Sequence, residues 1–296
     1  NELDVRLVYA ARRRCIPVVG MVRSWDNLTS KGVLRFKPDR LAVWNEIMRD
    51  EVLHYGDMKR DAISVIGIPH YDAYIKSPRR PREEFCRSVG LDARKHFILF
   101  VPTGDRYIVR NSIDKEILEI LDEITPQTHQ ILVRMPPADT VNFKGIKVSA
   151  RVRFDEPGVH FGESKKTMEL SVEDDKHLAD TLYHCDVVIT GPSTMAIDAA
   201  VFDRPAIFTS FDGKHTRNYY DGMKRFTDYI HIRHIVEIGG VKLADNQKEL
   251  DAKLRAYLSD PSLDREKRKV LVERECFRLD GKSTTRLAQV LINAIR

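Results

Sequence analysis

Short apolar runs recur along the middle of this chain, and stretches with helical spacing separate them. The runs are His96–Val101, His129–Arg134, Asp186–Thr190 and Pro205–Thr209. Between them, Asp114–Ile124 places Ile117, Leu118, Ile120 and Leu121 on one helical face, and Leu178–Leu182 and Ser193–Phe202 also read as helix. A run that is apolar on both faces suits a strand covered from both sides. Its regular alternation with helices predicts parallel sheets flanked by helices. Val159–Phe161 reads as a further strand. The amino-terminal part repeats the pattern, with strands expected at Ile16–Val22, Leu41–Trp44 and Ile63–Ile66 and a helix over Asn45–Tyr55. The fold class expected is α/β, with two Rossmann-like domains.

A length of 296 residues favours two domains. The expected division is residues 1–75 as an acceptor-side Rossmann-like part, 76–83 as a Pro- and Arg-rich solvated linker, 84–275 as a nucleotide-donor domain, and 276–296 as a closing helix. At 42% hydrophobic and 31% charged, the chain is outside the disordered and fibrous classes. No apolar stretch approaches the roughly 18 residues of a membrane span. Cys15, Cys86, Cys185 and Cys276 lie far apart with no CxxC, which suits packed thiols in a reducing cytoplasm. A net charge of +5 favours anionic partners. The basic clusters at Arg12–Arg14 and Arg79–Arg82 admit a peripheral place at a membrane face. No aromatic-interleaved basic stripe supports nucleic-acid binding. Walker, GxGxxG and GxSxG motifs are absent from the sequence.

The segment with most chemistry follows the Asp186–Thr190 strand. Gly191 and Pro192 make a turn, and Ser193 or Thr194 stands where a helix N-cap belongs, ahead of an Ala-rich helix. Such a terminus offers backbone N–H groups, two hydroxyls and the positive end of the helix dipole, which together suit a phosphate or diphosphate. Asp198 falls four residues after Thr194, one turn deeper on the same face, where a carboxylate can accept from ribose hydroxyls. An ordinary helix start with a solvated Asp accounts for the same spacing.

This stretch, with Gly191-Pro192-Ser193-Thr194-Met195-Ala196-Ile197-Asp198 followed by Arg204-Pro205, resembles the nucleotide-binding motif of GT-B-fold transferases. Within them it is similar to surface-carbohydrate glycosyltransferases and CDP-glycerol glycerophosphotransferases. Arg278–Ser283 resembles that group's carboxyl-terminal signature, ahead of a final helix that crosses back to the first domain. Ser24–Gly32 and Val65–Asp72 resemble its amino-domain segments. The resemblance implies a metal-independent glycosyltransferase of the GT-B type, without a cofactor. It would move a sugar or glycerophosphate from a nucleotide-diphosphate donor to a cell-surface polysaccharide or lipid-linked acceptor, at the inner face of the membrane. UDP-sugar 2-epimerases share the architecture but carry paired glutamates where this chain has Ile197 and Asp198. An epimerase-like enzyme, or a noncatalytic nucleotide-sugar or glycan-binding module, stands as the alternative. A full amino domain of this fold holds roughly 150 residues. The chain is therefore expected to be truncated, to lack the front half in which the resemblance places a catalytic histidine, and to bind without turnover alone.

Further candidates carry two readings each. Asp26, in a loop with Trp25 and Asn27, is an acceptor-side base or a turn former. Lys31 is a diphosphate contact or a surface lysine. Arg134 matches the arginine of an Arg-x-His-Pro-like segment, with Pro136 in place of the histidine, and pairs with a phosphate or forms a salt bridge. Thr103 and Gly104 follow a strand, and Gly104 permits close backbone approach to a diphosphate. His177 faces the nucleotide base or lies on a helix surface. His215, His231 and His234 lack the pattern of a metal triad, because in a strand-like context the last two would not share a face.

Overall fold

A computed structural model describes the chain except for residues 1, 33, 35, 107, 109, 110, 138, 162–167 and 296, and without the side chains of residues 2–4 and 160. The chain divides into two compact units, residues 1–77 with 272–296, and residues 78–271.

The first unit runs α1 (Glu2–Arg12), β1 (Val19–Met21), α2 (Asn27–Ser30), β2 (Arg40–Val43), α3 (Glu46–Tyr55), β3 (Ile63–Val65) and α4 (Tyr71–Lys76). β1, β2 and β3 form a parallel sheet in that order. The period of two along β2 sends Leu41 and Val43 to one face, against Met48 and Val52 of α3, and Ala42 to the other. Asn45 starts α3 because its Oδ1 accepts from the Met48 amide at 2.8 Å. Of the expected Ile16–Val22 strand, Val19–Met21 pairs with β2 at the sheet edge, and the exposed Ile16 lies outside it.

In the second unit come α5 (Arg82–Ser88), β4 (His96–Val101), α6 (Ile113–Ile124), β5 (His129–Arg134), β6 (Val152–Asp155), β7 (Val159–His160), β8 (Met168–Glu169), α7 (Val172–His184), β9 (Val187–Thr190), α8 (Met195–Val201), β10 (Ala206–Thr209), α9 (Lys224–Thr227), α10 (Ile230–Ile238), β11 (Val241–Ala244), α11 (Gln247–Ser259) and the first half of α12 (Arg265–Cys276), whose residues from 272 on belong to the first unit. The parallel sheet has the order β11-β10-β9-β4-β5-β6. Ile98 and Phe100 of β4 pack with Ile117 and Leu121 of α6. Phe97, on the opposite face, stacks on Phe85 of α5 with ring centroids 6.0 Å apart. The strand is thus covered on both sides, which is why it reads as a continuous apolar run.

Three sequence expectations need correction. Val159–Phe161 contributes β7, which pairs antiparallel with β8 outside the parallel sheet. His231 and His234 lie on α10, a helix rather than a strand. The supposed solvated linker is a seam of engaged arginines: Arg80 sits on Asp180, and Arg82 donates to the carbonyls of Ala93, His184 and Lys95. Charged heads there satisfy carbonyls that the fold would otherwise strand.

α13 (Ser283–Ile295) groups with the first unit, where Leu287 and Val290 pack near Ala42 and Ile66. The two segments singled out at Val65–Asp72 and Arg278–Ser283 meet here. Asp72 accepts from the Ser283 and Thr284 amides at 3.0 and 2.8 Å, capping α13 from another helix. Arg286 binds Asp280 through two nitrogens and donates to the Ile66 carbonyl. A Cβ on Gly67, whose φ is +83°, would press on Ser283 Oγ. Burial pushes the Asp72 carboxyl up, but the Thr284 and Ser283 donors outweigh it and hold it below its usual 3.8. Its contribution is therefore present above that value and lost as the pH falls through the depressed one. Asp72→Ala should cost about 1 kcal/mol at pH 7 in urea melts, and the difference should vanish at strongly acid pH.

Half-buried Glu51 of α3 and buried Glu275 of α12 interact as an acidic pair in the same unit. Asn45 Nδ2 donates to the Glu275 carbonyl at 2.9 Å and to its Oε2 at 3.2 Å. Burial, and for Glu51 the charge of Glu275, pushes both carboxyls up to about 7. A raised acid stabilises the fold below its ordinary value, here 4.5, and that contribution is lost as the pH rises to about 7. Glu51→Gln should then gain about 1–2 kcal/mol over the wild type at pH 8 and nothing at pH 4.5. The difference between the two proteins isolates the pair from His129 and His184, which burial shifts down and which act in the opposite sense. A flat difference across that range would refute the assignment.

Candidate functional site

In the larger sheet β4 and β9 are neighbours, yet the chain leaves them in opposite directions. β4 leads through α6 to β5 on one side, and β9 leads through α8 to β10 on the other. That is a topological switch point, and open α/β sheets bind ligands beyond the carboxyl ends of the strands there. The sequence candidates Thr103, Gly104, Gly191, Ser193, Thr194 and Asp198 all follow these two strands.

Gly191 is buried and its φ is not positive, so what requires glycine is close approach. A Cβ there would collide with Thr103 Oγ1 and lie 2.7 Å from Met223 Cε. Thr194 occupies the N-cap position of α8 with helical φ and ψ, and neither hydroxyl caps the helix. Ser193 Oγ instead pairs with Thr190 Oγ1 at 3.2 Å. The expected side-chain cap is therefore not formed. What the turn does present is backbone. Among the described residues, the amides of Ser193, Thr194 and Met195 find no acceptor, while those of Ala196, Ile197 and Asp198 bond back to Ser193 and Thr194 carbonyls. Three successive unclaimed N–H groups on a half-buried turn are donors of the kind that can bind an anion. Asp198 is 8% exposed on the largely buried α8, so only an edge of it is open to a ligand.

The Thr103–Gly104 turn is held by a residue the sequence reading missed. Asp114 accepts from the Thr103 amide at 2.8 Å, the Gly104 amide at 3.0 Å and Asn111 Nδ2 at 2.7 Å. Those two amides are consequently turned into the protein rather than toward a diphosphate, and Thr103 faces the site with its hydroxyl. Burial pushes the Asp114 carboxyl up to about 6, against the pull of the three donors. A carboxylate in the first turn of α6, ten residues after Gly104, was the available signal.

Arg134 and His177, separate candidates in the sequence, are joined through Asp155. Arg134 is 5% exposed at the end of β5 and ion-pairs with Asp155 at the end of β6. Both Asp155 oxygens lie 3.1 Å from His177 Nε2. Burial raises the Asp155 carboxyl, but His177 and Arg134 outweigh it and hold it below its ordinary value. Asp155 and Asp180 were missed because short, polar edge strands and helix acids look solvated in sequence.

In the first unit, Trp25 is 5% exposed, and Asn27 Oδ1 accepts from the Arg23 and Ser24 amides at 3.1 and 3.0 Å. Both residues shape the loop after β1. Asp26 precedes α2 and forms an ion pair with Lys31 at 2.8 Å. The pair keeps a carboxylate and a cation together at the loop surface.

The profile of the family described as CDP-Glycerol:Poly(glycerophosphate) glycerophosphotransferase matches residues 36–293. A teichoic acid glycerol-phosphate primase of Bacillus spizizenii is 24% identical over 214 residues, covering 72% of this chain and 50% of that protein. The wall teichoic acid polymerase TagF superposes with a TM-score of 0.57 at 17% identity, over 90% of this chain and 65% of the polymerase. A UDP-GlcNAc 2-epimerase of Methanocaldococcus jannaschii gives 0.58 at 16% identity, over 97% of this chain and 73% of that one. The chain thus spans half the length of the primase and under two thirds of the polymerase. Transferase and epimerase share the GT-B fold at equal likeness, so structure alone does not separate them. The family profile does, since it extends over most of the sequence, and this chain belongs to the CDP-glycerol:poly(glycerophosphate) glycerophosphotransferase family.

Proposed function

We propose that the chain holds the nucleotide-diphosphate donor of a GT-B transferase that passes glycerophosphate, or a sugar, to a cell-surface polymer or lipid-linked acceptor. The observation that carries this reading is the run of unclaimed amides at Ser193, Thr194 and Met195, placed where the strand order reverses. In this reading those amides and the two hydroxyls grip the diphosphate, Thr103 and Arg134 support it, and Asp198 accepts from a ribose hydroxyl. Asp26, steadied by Lys31, takes the acceptor proton. For a CDP-glycerol donor, the acceptor oxygen attacks the distal phosphorus and CMP departs. The new negative charge on the leaving phosphate is what the amides stabilise, and preorganised donors do this without rearrangement. The reading includes metal-independent binding and a peripheral place at the membrane face. No described helix is long and apolar enough to cross a membrane.

Calorimetry with CDP, CMP, UDP and GDP tests this. Binding is expected to favour the cytidine nucleotides and to survive EDTA. Silence toward all four would overturn the donor-site assignment, and strict dependence on Mg²⁺ would overturn the metal-independent part alone. Asp198→Ala should weaken binding while leaving the fold intact.

A further inference from the structure

A continuous run of charged and ring groups crosses the second unit from Arg134 to Asp180. β5 and β6 pair in parallel register with Arg134 opposite Asp155, so the sheet itself sets that ion pair. Asp155 then meets His177 Nε2. Arg80 donates from Nη2 to His177 Nδ1 at 2.6 Å. A guanidinium has no acceptor, so Nδ1 must offer its lone pair and Nε2 must carry the proton, donated to Asp155. Arg80 is held in turn by Asp180, through Nε at 2.7 Å and its backbone amide at 3.2 Å. Phe85 packs over the imidazole at 5.6 Å. Little water reaches Arg134, Asp155 or Asp180, and in such surroundings a broken link leaves a charge uncompensated.

We propose that Asp155 and His177 are positioning residues for Arg134. They anchor its guanidinium at the end of β5, two strands and about 10 Å from the Gly191 turn, where it can meet the far end of a bound diphosphate. His177 acts through Asp155 and does not touch the ligand, because both ring nitrogens are taken up within the run. This replaces the expectation that His177 faces the nucleotide base, and it rests on the donor-binding reading above.

The test uses the whole chain, with CDP calorimetry, urea melts and ¹⁵N spectra of the histidine rings. Wild-type His177 should show the Nε2–H tautomer. Asp155→Asn keeps an acceptor for the ring but drops the charge that holds Arg134, and should weaken CDP binding about ten- to a hundredfold. His177→Gln can still donate to Asp155 and accept from Arg80, and should stay within about threefold of wild type, whereas His177→Ala should lose about tenfold. Asp155→Asn binding like wild type, His177→Gln losing as much as His177→Ala, or an Nδ1–H tautomer would each overturn the proposal. If Asp155→Asn fails to fold, the His177 pair and the tautomer decide. A wild-type chain silent toward CDP overturns the donor-binding reading and this inference with it. A responsive wild type beside an indifferent Asp155→Asn overturns the inference alone.

Discussion

Asp114→Ala is expected to cost about 2–5 kcal/mol, because two backbone amides lose their acceptor, Asn111 Nδ2 keeps only its bond to the Gly104 carbonyl, and each unsatisfied donor costs about 1–3 kcal/mol before relaxation. The donors are the amides of Thr103 and Gly104 and the side-chain nitrogen of Asn111. Asp114→Asn should cost nearly as much, since one of its two groups would be an N–H facing other N–H groups. Because the Gly104 φ of +88° is adopted by a turn that this carboxylate fastens, nucleotide binding should fall along with stability. Urea denaturation at pH 7.5 measures the first effect and calorimetry the second. A loss below about 1 kcal/mol would mean that water replaces the carboxylate without penalty and that the turn is held by something else.

Gly191→Ala should leave most of the stability in place and reduce nucleotide affinity by about a hundredfold, the scale expected when a site is displaced by about 1 Å. The added methyl would fall on Thr103 Oγ1 and within 2.7 Å of Met223 Cε. Met223 can swing away. Thr103 cannot do so as readily, because it is β-branched and Asp114 holds its amide. The turn carrying the Ser193, Thr194 and Met195 amides must therefore shift outward. The loss should shrink when Gly191→Ala is made in a Thr103→Ala background, and that coupling distinguishes a steric displacement from a general weakening of the fold. Additive effects of the two substitutions would count against direct contact.

The central strands were legible in the sequence because both of their faces are covered. His96–Val101 and His129–Arg134 appear in the structure with those bounds, and the buried positions of α6 fall where the helical period put them. The edge strands of the larger sheet were not legible. β6 carries Arg153 and an exposed Phe154, and β11 places Lys242 among apolar residues, so neither reads as a buried run. The turn and its backbone N–H groups could be placed, but the roles of its hydroxyls could not. Sequence pointed to free backbone N–H groups and to a hydroxyl cap; the amides are unclaimed, but neither hydroxyl caps the helix and Ser193 Oγ turns to Thr190.

By itself the sequence determined the α/β class, the strand that ends at Thr190, and the glycine turn ahead of a small-residue helix, because each depends on local period and composition. Only the tertiary structure decided that Asp114 fastens the Thr103 turn, that Asp155 joins Arg134 to His177, and that Asp72 caps α13. Those partners lie on different strands and helices, and a side chain's hydrogen-bond partner is fixed by which elements pack together rather than by its neighbours along the chain.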